Sequence, residues 1–152
     1  VNGPVFRFRL ERVRALRERK EQQAQQELAQ AIASRAGTEA ELRAAEEHLK
    51  QAHSEHRAQT SEVQTLNADE LIARQAFLER IEAQRGARVQ ELKQREATVL
   101  ERDAKLIAAA SDHEMLKRLS ERHRGEHERT VASREQGALD EIAAARFDQG
   151  GI

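Results

Sequence analysis

From Ala24 the positions Leu28, Ala31, Arg35, Thr38, Leu42, Ala45, Leu49, Ala52, His56, Gln59, Val63 and Leu66 recur at alternating spacings of four and three. That period is the seam of a coiled coil, in which one stripe of a helix faces a partner helix along its length. Many seam positions are Ala, Thr, Gln or His, so each layer buries little area and the helix depends on that partner for its stability. The pattern pauses at LNADELI, residues 66–72, where Asn67 or Asp69 suits a helix N-cap and Glu70 favours the positive end of a new helix. A second seam follows through Leu71, Leu78, Ile81, Arg85, Arg88, Leu92, Glu96, Val99, Asp103, Leu106, Ala110 and His113, and apolar periodicity continues through Leu116, Leu119, Val131, Leu139 and Ile142.

Two long helices joined by a short connection pack antiparallel, so the expected fold is all-α, a long antiparallel two-helix coiled-coil hairpin forming one elongated domain. Helix one is predicted over about 5–66, the turn over about 67–69 and helix two over about 70–147, with the tail FDQGGI fraying. Pairing about that turn sets Val13 roughly opposite Arg124. Before Ala24 the apolar phase is carried by Phe6, Leu10, Val13 and Leu16 or Arg17, and joining it to the later seam requires an extra four-residue step, a stutter that locally unwinds a supercoil. Gly37, Gly86, Gly125 and Gly137 fall inside the helices, where each costs about 1 kcal/mol against Ala, and they are expected at bends or close approaches.

Composition narrows the fold further. Of the 152 residues 38% are apolar, but 26 are Ala and only four are Phe, with neither Trp nor Tyr. Such a set fills a narrow seam and not a broad layered core. There is one proline, Pro4, and no cysteine, which removes disulfides and thiolate metal sites and suits a reducing, cytoplasmic setting. No apolar run reaches the length of a membrane span, so direct membrane insertion is not expected. Net charge is only −1 but unevenly spread, with seven basic and two acidic residues over 1–20 and three basic and eight acidic over 38–70. The stretch FRFRLERVRALRERK, residues 6–20, is the most cationic part of the chain.

Catalytic chemistry finds little support. His123, Glu126 and His127 spell the inverted zinc-protease signature H-x-x-E-H, yet that chemistry needs a third ligand from another element and a cleft, and the residues beyond belong to the same helix pattern. His48, His53 and His56 lie on helix one, but only His48 and His56 share a face. No Gly-rich phosphate loop, positioned nucleophile or carboxylate pair occurs, so no catalytic residue, metal or cofactor is assigned.

The two ends of the chain resemble the FliJ family of the bacterial flagellar export apparatus. That family characteristically starts with F-x-F-x-L-E-x-V, matched by Phe6, Phe8, Leu10, Glu11 and Val13, and ends with E-Q-x-x-L-D-E, matched by Glu135, Gln136, Leu139, Asp140 and Glu141. Past the turn, ARQAFLERIEAQ, residues 73–84, is similar to the family's aromatic and apolar stretch near the hairpin tip, with Phe77 and Ile81 at its key positions. The resemblance spans essentially the whole chain. It implies a non-enzymatic stalk and chaperone component of flagellar type III export. Its terminal end would insert into the hexameric export ATPase, alongside that enzyme's regulator, and its tip would reach the membrane-embedded export gate.

The resemblance also implies contacts with export chaperones and a peripheral position at the cytoplasmic face of the inner membrane. On it, the ring-binding end comprises Phe6, Phe8, Leu10, Val13, Arg14, Arg17, Glu135, Gln136, Leu139 and Asp140, and the gate-binding tip Phe77, Ile81 and Gln84. The competing reading of the cationic stretch is a basic coiled-coil scaffold or nucleic-acid binder, in which Arg7, Arg9, Arg12, Arg14, Arg17, Arg19 and Lys20 neutralise phosphates without reading bases. Near-zero net charge and the shortage of aromatics weigh against it, and nucleic acid is not an expected partner.

Overall fold

The structure is a computed structural model and describes residues 5–61 and 67–149. Two α-helices account for nearly all of them: α1 over Glu11–Ser61 and α2 over Ala68–Gln149, paired as an all-α antiparallel hairpin with no strand among the described residues. Both helices are rich in Ala, Leu, Glu, Gln and Arg and free of proline, the residues that hold helical backbone at least entropic cost. Pairs one turn apart add small increments, among them Arg43 with Glu39 at 2.8 Å and Lys105 with Glu101 at 2.6 Å. The chain divides into two compact units, residues 1–23 with 107–152 and residues 24–106.

In the second unit, Ala24, Leu28, Ala31, Arg35, Thr38, Leu42, Ala45, Leu49, Ala52 and His56 are the turned-in positions of α1, as the heptad spacing predicts. The densest packing joins Ala52, Leu78 and Ile81, with Leu49 against them. Ile81, at 4% exposure, is the most buried apolar side chain among the described residues. Charged residues on the α2 seam bridge the helices: Arg85 to Glu46 at 3.4 Å, Arg88 to Glu41 at 2.9 Å, Glu96 to Arg35 at 3.6 Å and Arg102 to Glu27 at 2.6 Å. Half-exposed pairs of this kind contribute about 0.2–1 kcal/mol each, so their main effect is to fix register. Leu71 is exposed, and Arg74 takes the inward position at that level.

The first unit packs residues 5–23 against the C-terminal part of α2. Arg17 pairs with Asp112 at 2.6 Å, and Glu21 meets His113 at 2.6 Å, the least exposed cross-helix polar contact of this kind among the described residues. Here the heptad positions of α1 are Arg14, Arg17, Glu21 and Ala24, a continuous four-three spacing, so no stutter precedes the later seam. Val13 and Leu16 are exposed instead. The long aliphatic stems of Arg14 and Arg17 cover the seam while their charged ends reach carboxylates.

Helix one begins at Glu11 and not near residue 5, because residues 5–8 are non-helical and a turn at Arg9 and Leu10 leads in. The Phe8 carbonyl accepts from the Glu11 N–H and the Leu10 carbonyl from the Arg14 N–H. Helix two begins at Ala68, with the Asn67 carbonyl accepting from the Glu70 and Leu71 N–H groups. Asn67 therefore sits at the N-cap position, and Asp69 lies inside the first turn. The end of helix one predicted beyond Ser61, including Val63 and Leu66, lies outside the described residues, as do 150–152. Phe147, expected to fray, belongs to α2.

Two further expectations change. Arg124 stands over the Phe6 ring, not opposite Val13, which lies beside Asp112, Leu116 and Leu119. Partner numbers add to 130 for Phe6 with Arg124 and for Leu49 with Ile81, whereas Val13 with Arg124 gives 137. A turn centred on residue 68 places the pairing axis about three residues too late. The four helical glycines are also uncrowded: a Cβ built on Gly37, Gly86, Gly125 or Gly137 meets nothing within 4 Å, and none has positive φ. Close approach of a neighbouring backbone does not explain them.

Candidate functional site: the terminal end and the tip

The terminal end is built on two aromatic anchors that precede α1. Phe8 is 9% exposed and meets the His123 ring edge-on at 5.9 Å, beside the buried Ser120. Phe6 meets His127 at 5.6 Å, and the Arg124 guanidinium lies 5.7 Å from its ring centroid, within cation-π range. Tilted and edge-on geometries suit the ring quadrupoles and contribute about 0.5–1.5 kcal/mol each beyond area burial. His123 and His127 of the H-x-x-E-H motif are therefore packing partners of the two phenylalanines. No group of three His, Cys, Asp or Glu residues able to hold a metal occurs among the described residues.

Around these anchors the cations fall into two sets. Arg14 forks onto Glu11, and that hydrogen bond, with the charge behind it, holds the Glu11 carboxyl below its ordinary range. Arg17 is tied to Asp112. Arg7, Arg9, Arg12, Arg19 and Lys20 form no ion pair among the described residues, and all five are exposed. Arg7, Arg14, Lys117 and Arg124 line an open groove with Phe6, Phe8 and the carboxylates of Glu11 and Glu121.

The C-terminal motif residues stand apart from this cluster. Glu135, Gln136, Leu139 and Asp140 are exposed on α2, and Gln136 donates to Asp140 at 3.1 Å. No hydrogen bond, ion pair or ring contact joins them to Phe6, Phe8, Leu10 or Val13. From His127 to Glu135 is about 12 Å of helix, so the two motif blocks share one unit without touching.

At the tip, Phe77 is 46% exposed and Gln84 is exposed, but Ile81 is buried against Leu49, Ala52 and Leu78. Phe77 borders a shallow recess with His56, Gln59 and Arg74. Ile81 thus holds the helices together beneath the surface that Phe77 and Gln84 present. The resemblance groups Ile81 with Phe77 in one contact surface, whereas burial separates the two.

Exposed cations and aromatic anchors are thus carried on an all-α antiparallel helical hairpin. The family model described as flagellar FliJ protein matches residues 6–151, and the chain belongs to that family. It is thereby a component of the flagellar export apparatus. No curated protein and no solved structure matches the chain. No helix among the described residues is long and apolar enough to cross a membrane.

Proposed function

We propose that this chain is the non-enzymatic stalk of the export apparatus, inserting its terminal end into the hexameric export ATPase ring and presenting its tip to the export gate. It thereby couples ATP hydrolysis to protein export, working with the ATPase's regulator and the export chaperones at the cytoplasmic face of the inner membrane. The observation that carries the reading is the set of exposed cations without ion-pair partners among the described residues, Arg7, Arg9, Arg12, Arg19 and Lys20, around a lead anchored by Phe6 and Phe8. Such an end is preformed and complementary to an acid-lined ring. Arg14 and Arg17 serve this function indirectly, by holding the end together through Glu11 and Asp112.

The test is charge reversal of cations without internal work. Arg7→Glu, Arg9→Glu and Arg12→Glu together are expected to abolish stimulation of the export ATPase while the circular dichroism spectrum stays that of the parent. Full stimulation by the triple variant would remove the terminal cations from the interface. If the variant keeps stimulation but loses salt-sensitive binding to duplex DNA, the scaffold and nucleic-acid reading takes its place.

A further inference from the structure

The C-terminal stretch of α2 runs on past the last residues that pack against the lead. Residues 132–147 are exposed throughout, and Leu139 and Ile142 are 61% and 52% exposed. A helix with no partner lacks most of what stabilises helices in folded proteins. On this one, Glu135, Leu139, Ile142 and Arg146 are spaced four, three and four apart and fall within about 60° of one another around the axis, a single stripe. The stripe has an acid at one end, a base at the other and two branched apolar residues between. The side chains of Glu135 and Arg146 form no ion pair or hydrogen bond among the described residues.

That order is self-complementary in one orientation only. Laid antiparallel on a second copy about a two-fold axis, Leu139 meets the second copy's Ile142 and Glu135 meets the second copy's Arg146, and symmetry repeats each contact. Laid parallel and in register, the same stripe sets Glu135 against Glu135 and Arg146 against Arg146, with like charges opposed. Ala138 and Ala143 flank the stripe and leave room for close approach of the two helices.

We infer that this chain self-associates through the C-terminal stripe of α2, two copies pairing antiparallel across Glu135, Leu139, Ile142 and Arg146. The contact spans about 24 Å of helix from Val131 to Phe147 and falls short of the roughly 800 Å² per partner of a stable interface, so the dimer is weak, with a dissociation constant on the order of tens of micromolar. The inference stands apart from the stalk reading, since its test contains no ATPase. If both hold, self-pairing and insertion into the ring compete for the same helix.

Sedimentation equilibrium of the full chain at low salt tests it. The parent chain is expected to dimerise, and Glu135→Arg or Arg146→Glu alone to raise the dissociation constant about tenfold or more, because each opposes like charges twice. An equimolar mixture of the two single variants is expected to recover pairing as a heterodimer, since each copy then carries the charge its partner lacks. A parent chain that stays monomeric at several hundred micromolar, or a mixture that pairs no better than its components, would overturn the inference. So would a dimer indifferent to both substitutions, because its contact lies elsewhere.

Discussion

Shortening Ile81 separates packing from contact at the tip. Ile81→Ala removes three carbon atoms from a side chain only 4% exposed and packed on Leu49, Ala52 and Leu78. At about 0.8 kcal/mol per buried methylene the transfer loss alone is about 2.4 kcal/mol. A two-helix seam admits water to the space left behind, so the cost stays near the lower end of the 2–5 kcal/mol typical of such truncations. Phe77→Ala removes a larger side chain, but one that is 46% exposed, and about 1 kcal/mol is expected. Urea unfolding followed by ellipticity at 222 nm measures both. If Phe77→Ala costs as much as Ile81→Ala, the division between buried support and exposed contact is wrong. Loss of gate binding in Ile81→Ala reports damage to the hairpin, so the contact itself is tested by Phe77→Ala with Gln84→Ala at unchanged stability.

Other consequences follow from the same geometry. Gly37→Ala, Gly86→Ala and Gly125→Ala each fill open space at helical φ and are expected to stabilise by about 0.5–1 kcal/mol, raising Tm by about 1–4 °C in thermal melts. A fall in Tm at any of the three would show that the hairpin needs the glycine there. Hydrogen bonds from Arg14, from Arg88 and Arg95, from Lys105 and from Arg118 hold Glu11, Glu91, Glu101 and Glu114 below their ordinary value of 4.5. Because the folded values are depressed, the contribution of these four carboxylates is present above pH 4.5 and is lost as pH falls through the folded values, so Tm should decline as pH falls below 4.5. A Tm that rises on acidification through this range would contradict the sign. Glu21→Ala strands His113 at the least exposed cross-helix pair and should cost about 1 kcal/mol in urea titrations, against little for Glu47→Ala, whose side chain is largely exposed.

The seam from Ala24 to His56 was legible because four-three spacing survives even when its members are Ala, Thr and His. Toward the N-terminus the same rule misled. A search for apolar residues selected Val13 and Leu16 or Arg17; of these only Arg17 turns in, reaching Asp112, and it passed over the other turned-in positions, Arg14 and Glu21, whose charges reach Glu11 and His113. Only the unbroken heptad phase carried back from Ala24 could have identified them. Phe6 and Phe8 were read as helix positions because alternation and heptads overlap over so short a run. Their partners His123, Arg124 and His127 depended on a register that a three-residue error in the turn moved by two helical turns.

The central claim is tested most directly by the mass of the complex formed with the export ATPase. Light scattering after size-exclusion chromatography, with nucleotide present, is expected to give one copy of this chain to six ATPase subunits, since a hexameric ring has one axis to fill. A ratio of one to one around the ring, or no complex at any nucleotide state, would contradict a stalk.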